Sequence, residues 1–389
     1  MSRGKDSSAR LGRYRLTVFD QVVAAINSYV ILFPALLVRD YSEIAKLSIF
    51  VSAFTLWQAL ARITVINEVL DFRNNSTKYF THARKMSYIS STSLLLIPFS
   101  ELFFLTKIEV LVLSLVIISG LQIELARQYF LASNQESKAV LIDLTWLTGT
   151  IILFVIKIQT ENIFVTWLLG SIPSLCLAFW LVRASNLIGT NRERASTVKS
   201  LALGIPIILA GHTFFQNLIL TKFDQAEFLG QLRAVQLCFL PAIFLMNVQQ
   251  SILVPVITQN NSRMLKTLRK RINSVSVLLT LICLVAANFI LGINSEKKTI
   301  SILSILVAFS VLGNLQITYQ SLIFVTEASI DVLVFYRILW LLVSFLCMFL
   351  LADTEIIFIL ALVFIDYLYL SALLISKNGI QSIRIQESK

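Results

Sequence analysis

Apolar runs of about twenty residues, separated by short polar tracts, recur along this chain from Val18 to Ile375. Each run has the length a helix needs to cross roughly 30 Å of hydrocarbon. The pattern predicts twelve helices, at about 17–38, 44–70, 87–106, 108–131, 139–157, 162–182, 198–221, 228–257, 272–293, 299–325, 331–351 and 355–375. The second and eighth exceed what a bilayer requires, which predicts tilt or projection beyond it.

Composition narrows the class. Of 389 residues, 57% are hydrophobic and 14% charged, and the mean hydropathy is +0.79. Soluble domains carry about 25% charged residues, so the chain reads as a polytopic, all-α membrane protein. The first apolar run is too long and interrupted for a signal peptide, and is expected to stay as a span. Cys176, Cys238, Cys283 and Cys347 fall within apolar runs without a CxxC spacing, so neither a disulfide framework nor a zinc site is indicated.

The net charge of +11 would suit a nucleic-acid partner if it were clustered, but it is split into tracts between spans. One side collects Arg3, Lys5, Arg10, Arg13 and Arg15, then 73–85, Lys138, 183–199, 263–271 and the tail after Ser376. The other keeps only Arg39, Lys46, Lys107, Lys157, Lys222, Lys297 and Lys298. Basic tracts mark the cytoplasmic side, so both termini are expected there, which needs an even number of spans. The outer connections are short, leaving no room for an extracytoplasmic catalytic domain.

The chain also echoes itself. "LLVRDYSEIAKLSIF" around the first outer loop matches "LILTKFDQAEFLGQL" around the fourth, with Asp40 on Asp224 and Glu43 on Glu227. "LIDLTW" at 141–146 matches "FYRILW" at 335–340. Six helices followed by six in the same orientation predict two lobes related by a pseudo-two-fold axis along the membrane normal. The expected division is a basic N-terminal segment 1–16, a first lobe 17–190, a second lobe 191–376 and a tail 377–389.

Charges inside apolar runs are the candidate chemistry, because hydrocarbon strongly disfavours them. Arg62, Glu124, Arg127, Asp143, Arg233, Arg337 and Asp366 lie within spans. Asp20 and Glu68 lie at inner ends, where side chains can snorkel to water. Glu124 and Arg127 share a helix face, and Asp143 returns at similar depth on the next helix. Arg127 is thus either the neutralised centre of a packing cluster or a cavity cation held by Glu124 or Asp143. Asp366 is positioned to pair with Arg337. Arg62 has no acid within one turn, which leaves snorkelling or an anion in a wet cavity. Arginine suits phosphate through its two-pronged fork. His212 is a candidate proton relay or a packed polar residue. Span amides such as Asn27, Gln216, Asn217, Asn314 and Gln316 are expected to bond between helices or line a wet interior. No Walker loop, HExxH, GxSxG or metal-ligand spacing occurs, so neither an enzyme nor a built-in ATPase is indicated, and no metal or cofactor is called for.

The stretches "FDQVVAAINSYVILFPALLVRDYSEIAKLSIFVSAF", "LILTKFDQAEFLGQLRAVQL" and "RQYFLASNQESKAVLIDLTW", with paired six-helix halves and intramembrane cations, resemble the multidrug/oligosaccharidyl-lipid/polysaccharide exporter superfamily. Within it the chain looks most like polysaccharide flippases of the O-antigen and teichoic-acid exporter kind. That resemblance implies alternating access in a bacterial inner membrane, carrying a polyprenyl-pyrophosphate-linked oligosaccharide from the cytoplasmic to the outer leaflet. It implies a lipid-linked sugar and membrane lipids as partners, a proton or sodium ion for coupling, and a monomer. Arg62, Arg127, Arg233 and Arg337 would meet the substrate; Glu124, Asp143, Asp366 and His212 would be charge partners or coupling groups. The rival within the superfamily is a cation-coupled multidrug antiporter using acids such as Asp366 and Asp20. A transferase acting on lipid-linked sugars is disfavoured by the short outer loops.

Overall fold

The computed structural model describes residues 16, 19–20, 22–24, 26–27, 29–38, 40–66, 76–103, 105–133, 135–156, 163–185, 200–223, 225–243, 262–291, 297–326, 330–351 and 354–387. Regular structure among them is entirely helical. Residues described between 16 and 29 are helical up to a turn at Val30 and Ile31. There follow α1 (Leu32–Val38), α2 (Tyr41–Ala61), α3 (Ser76–Ser91), α4 (Lys107–Ala132), α5 (Glu136–Val155), α6 (Ile163–Ala184), α7 (Ser200–Lys222), α8 (Ala226–Cys238), α9 (Ser262–Leu291), α10 (Lys297–Thr326), α11 (Ile330–Leu351) and α12 (Glu355–Glu387). Among the described residues, eight stretches are long and apolar enough to span a membrane: Tyr41–Ile66, Lys107–Ala132, Glu136–Val155, Ile163–Ala184, Thr267–Leu291, Lys298–Ser321, Val332–Leu351 and Glu355–Ser376.

Local chemistry sets the boundaries. Asp40 caps α2 by accepting from the Glu43 amide at 3.0 Å. Its proposed echo, Asp224, lies outside the described residues. Thr106 and Glu109 form a reciprocal capping box on α4, at 3.2 and 2.6 Å. The second span does not continue as a plain α-helix: it widens into a π-helical turn at Arg62–Ile66. The third begins earlier than apolarity predicts, because the polar stretch from Ser76 is already helical, and it tightens to a 3₁₀ coil at Thr92–Phe103 around Pro98. The eighth breaks at Phe239, two residues before Pro241, whose missing N–H cannot bond the Leu237 carbonyl.

The chain forms two compact units, one of Met1–Val198 with Leu209–Leu218, the other of Lys199–Ile208 with Ile219–Lys389. In the first unit α4 is the most enclosed span, and α5, α6 and α2 pack on it. Gly149 and Gly170 let α5 and α6 approach closely; a Cβ on Gly170 would fall 2.4 Å from Thr150 Oγ1. Such contact suits lipid, where helix association draws on packing and interhelical hydrogen bonds. Ser119 and Ser171 hydroxyls meet at 3.0 Å across α4 and α6, and Ser174 donates to the Ile142 carbonyl at 2.8 Å. Phe50, Phe54, Phe164, Trp146 and Trp167 fill the centre, with the two indoles stacked 5.9 Å apart. In the second unit α10, α11 and α12 enclose a cluster of Ile317, Phe324, Leu333, Tyr369 and Leu373. Its outer face is strongly apolar, with Leu278, Val285, Phe289, Leu342 and Phe364 all exposed, as a lipid-facing surface requires.

Candidate functional site

The intramembrane charges of the first unit gather on one arginine. Arg127, on α4, is 5% exposed. Its Nη2 lies 2.8 Å from Asp20 Oδ2, its Nη1 2.5 Å from Glu124 Oε2, and its Nε 3.0 Å from Asp143 Oδ2. The Nε also donates to Asp20 Oδ2 at 2.8 Å. Glu124 Oε1 accepts from Gln128 at 2.8 Å. Three carboxylates from three helical segments therefore surround one guanidinium. Asn27 locks the group further, donating to the Asp143 main-chain carbonyl at 2.9 Å.

Asp20 does not snorkel. It is fully buried, because Arg127 offers it a closer partner than water would. Arg62 is not without an acid either: its Nη2 lies 3.7 Å from Glu124 Oε1, an acid on another helix. That contact is loose, and the Arg62 side chain stays 54% exposed on the π-helical turn. Such turns recur at functional sites. The two arginines thus differ in kind: Arg127 is saturated by the protein, whereas Arg62 keeps donors to spare.

The second unit places Arg337 on α11 and Asp366 on α12. They do not form the expected ion pair. Asp366 Oδ1 accepts from Trp340 Nε1 at 3.0 Å, while the Arg337 guanidinium sits 4.6 Å from the Tyr369 ring centre and 5.6 Å from that of Trp340. The indole takes the carboxylate, and ring faces take the cation. Arg233 is half-buried on α8 and donates from Nη1 to Gln236 Oε1. His212 is buried on α7. Asn217 donates to the Ser48 carbonyl and to Ser52 Oγ, both at 3.1 Å, and Gln316 donates to Asn273 at 3.1 Å. These amides bond between helices. Glu68 lies outside the described residues.

No protein-family model and no curated protein matches this chain in sequence. Solved structures match it in fold along almost its whole length. A MOP superfamily transporter from Pyrococcus furiosus, whose binding pocket of reverse polarity was taken to suggest a different function, superimposes with a TM-score of 0.57 at 11% identity, over 95% of this chain and 96% of that one. A MATE in its bent conformation gives 0.54 at 13% identity, over 96% and 95%. The outward-facing conformation of a multidrug resistance MATE family transporter gives 0.52 at 12% identity, over 95% and 92%. The chain therefore has the all-helical membrane fold of MOP superfamily transporters.

Proposed function

We propose that this protein is an alternating-access transporter that carries an anionic, lipid-linked saccharide from the cytoplasmic to the outer leaflet of a bacterial inner membrane. The observation that carries the reading is Arg62: an exposed guanidinium within a span, held among the described residues by one ion pair at 3.7 Å. A sugar headgroup and a pyrophosphate cannot cross hydrocarbon unshielded, and an arginine fork offers the phosphoryl oxygens two parallel hydrogen bonds. The fold likeness supports transport, since its neighbours include MOP transporters captured inward- and outward-facing. Arg127 serves as scaffold in this reading, because its donors already meet three carboxylates.

The second reading is a multidrug antiporter, which the MATE likeness favours. It would use an acid to bind a cationic drug. Asp20 is bound to Arg127 and Asp366 to Trp340, so either would first have to exchange its partner.

The test is reconstitution in liposomes with a labelled polyprenyl-pyrophosphate oligosaccharide, following its appearance in the far leaflet. Wild-type protein should flip it. Arg62→Ala should lose at least about tenfold in rate at normal protein level, and Arg62→Lys should recover only part of that loss. Full flipping by Arg62→Ala would remove Arg62 from the mechanism. Wild-type export of a cationic drug without flipping would establish the second reading.

A further inference from the structure

The second unit contains a buried cation with no carboxylate at ion-pair distance among the described residues. Arg337 stands seven residues after Ile330, about 10 Å along α11. It is 6% exposed, and its Nε has no acceptor. No carboxylate among the described residues reaches ion-pair distance. Asp366 lies within electrostatic reach, but its Oδ1 is committed to Trp340. The faces of Tyr369 and Trp340 answer the charge, and the Tyr369 hydroxyl is the one neutral oxygen near the guanidinium among the described residues, which leaves most of its five N–H donors without an acceptor.

Two more buried groups face the same place. The Tyr369 hydroxyl lies beside both the Ser321 Oγ and the Arg337 guanidinium, and neither hydroxyl makes a well-aligned hydrogen bond among the described residues. Both can donate. The arrangement therefore joins a planar cation to two hydroxyls, drawn from α10, α11 and α12. Two residues before Ser321, Arg269 of α9 lies over the Tyr319 ring at 4.3 Å, adding positive potential at this end of α10.

We propose that Arg337, Tyr369 and Ser321 form an anion site within the second unit, built for a small oxyanion of the phosphate class. The fork supplies directional donors along two edges, and the hydroxyls close on the remaining oxygens. Asp366 sets the affinity: ionised, it repels the anion. The site is built wholly from the second unit, whereas Arg62 belongs to the first, and it does not depend on the identity of the transported substrate. The anion has two possible sources, free phosphate and a phosphorylated lipid headgroup, which share this chemistry.

The experiment uses the full-length protein in nanodiscs of zwitterionic lipid. Inorganic phosphate is titrated by calorimetry, and a polyprenyl phosphate is added to parallel discs and followed by melting temperature. Wild-type protein should bind one of the two probes saturably. Arg337→Gln should weaken that binding at least tenfold, and Asp366→Asn should tighten it several-fold. If Arg337→Gln does not fold, Tyr369→Phe combined with Ser321→Ala removes only the hydroxyls and should weaken binding about fivefold. An Arg337-dependent response to polyprenyl phosphate alone assigns the anion to a lipid headgroup and upholds the site. Binding unchanged in a folded Arg337→Gln, or unchanged in the hydroxyl variant when Arg337→Gln does not fold, overturns the proposal. So does silence from both probes.

Discussion

Arg127 and Arg337 are both buried guanidiniums, and they should respond oppositely to removal. Arg127→Ala would strand three carboxylates in a low-dielectric interior. Breaking a buried pair of this kind costs about 3–5 kcal/mol, so the variant should show a lower melting temperature and lower membrane abundance. Adding Asp143→Asn should recover part of the loss, because it removes one stranded charge. Arg337→Met deletes a cation that no carboxylate among the described residues holds, and in the absence of anion it should change stability by no more than about 1 kcal/mol. Thermal melts of purified protein test both. The sequence showed Glu124, Arg127 and Asp143 together because they are close in the chain and match in helical phase or depth. It could not show Asp20 joining them, since periodicity gives burial and not which helix a face meets. The same limit hid Glu124 from Arg62. Depth correctly suggested Asp366 and Arg337 as neighbours, but side-chain reach gave the carboxylate to Trp340.

At the scale of elements, close packing carries a sharp expectation. Gly170→Ala would press its Cβ against the Thr150 backbone nitrogen at 2.8 Å, and a backbone atom cannot step aside. Gly120→Ala would meet the Phe54 ring at 2.6 Å, and that ring is wedged against Trp146 and Trp167. Each should destabilise by about 1–3 kcal/mol. Gly211→Ala meets only Leu56 at 4.0 Å and should be tolerated. Detergent-solubilised melting curves separate the three. Apolar runs made most spans legible, from α4 to α6 and from α9 to α12. They could not mark the π turn at Arg62–Ile66, whose backbone widening leaves no compositional trace. They also missed the start of α3, since "STKYFTHARKM" is polar and declares itself only through contacts such as Gln122 donating to the Ala83 carbonyl at 2.9 Å.

For the molecule as a whole, the alternation of basic tracts predicts which ends of the spans meet the cytoplasm. In a cysteine-free background, Ser137→Cys, just inside α5, should resist a membrane-impermeant maleimide added to intact cells. Thr354→Cys, between α11 and α12, should react. Both positions are exposed, so access to the reagent depends on sidedness rather than burial. Labelling of Ser137→Cys alone would invert the orientation. The cage around Arg127 also bears on how the protein is made. Asp20 is synthesised 107 residues before the arginine that neutralises it. While the ribosome works through that interval, the first helix carries an acid without the arginine that holds it in the folded protein. Nascent chains arrested before Arg127 emerges should therefore hold this helix loosely in the bilayer, open to extraction or protease. Chains arrested after α5 should hold it firmly. The membrane anchorage of the first helix is thus settled late, by residues a hundred codons downstream.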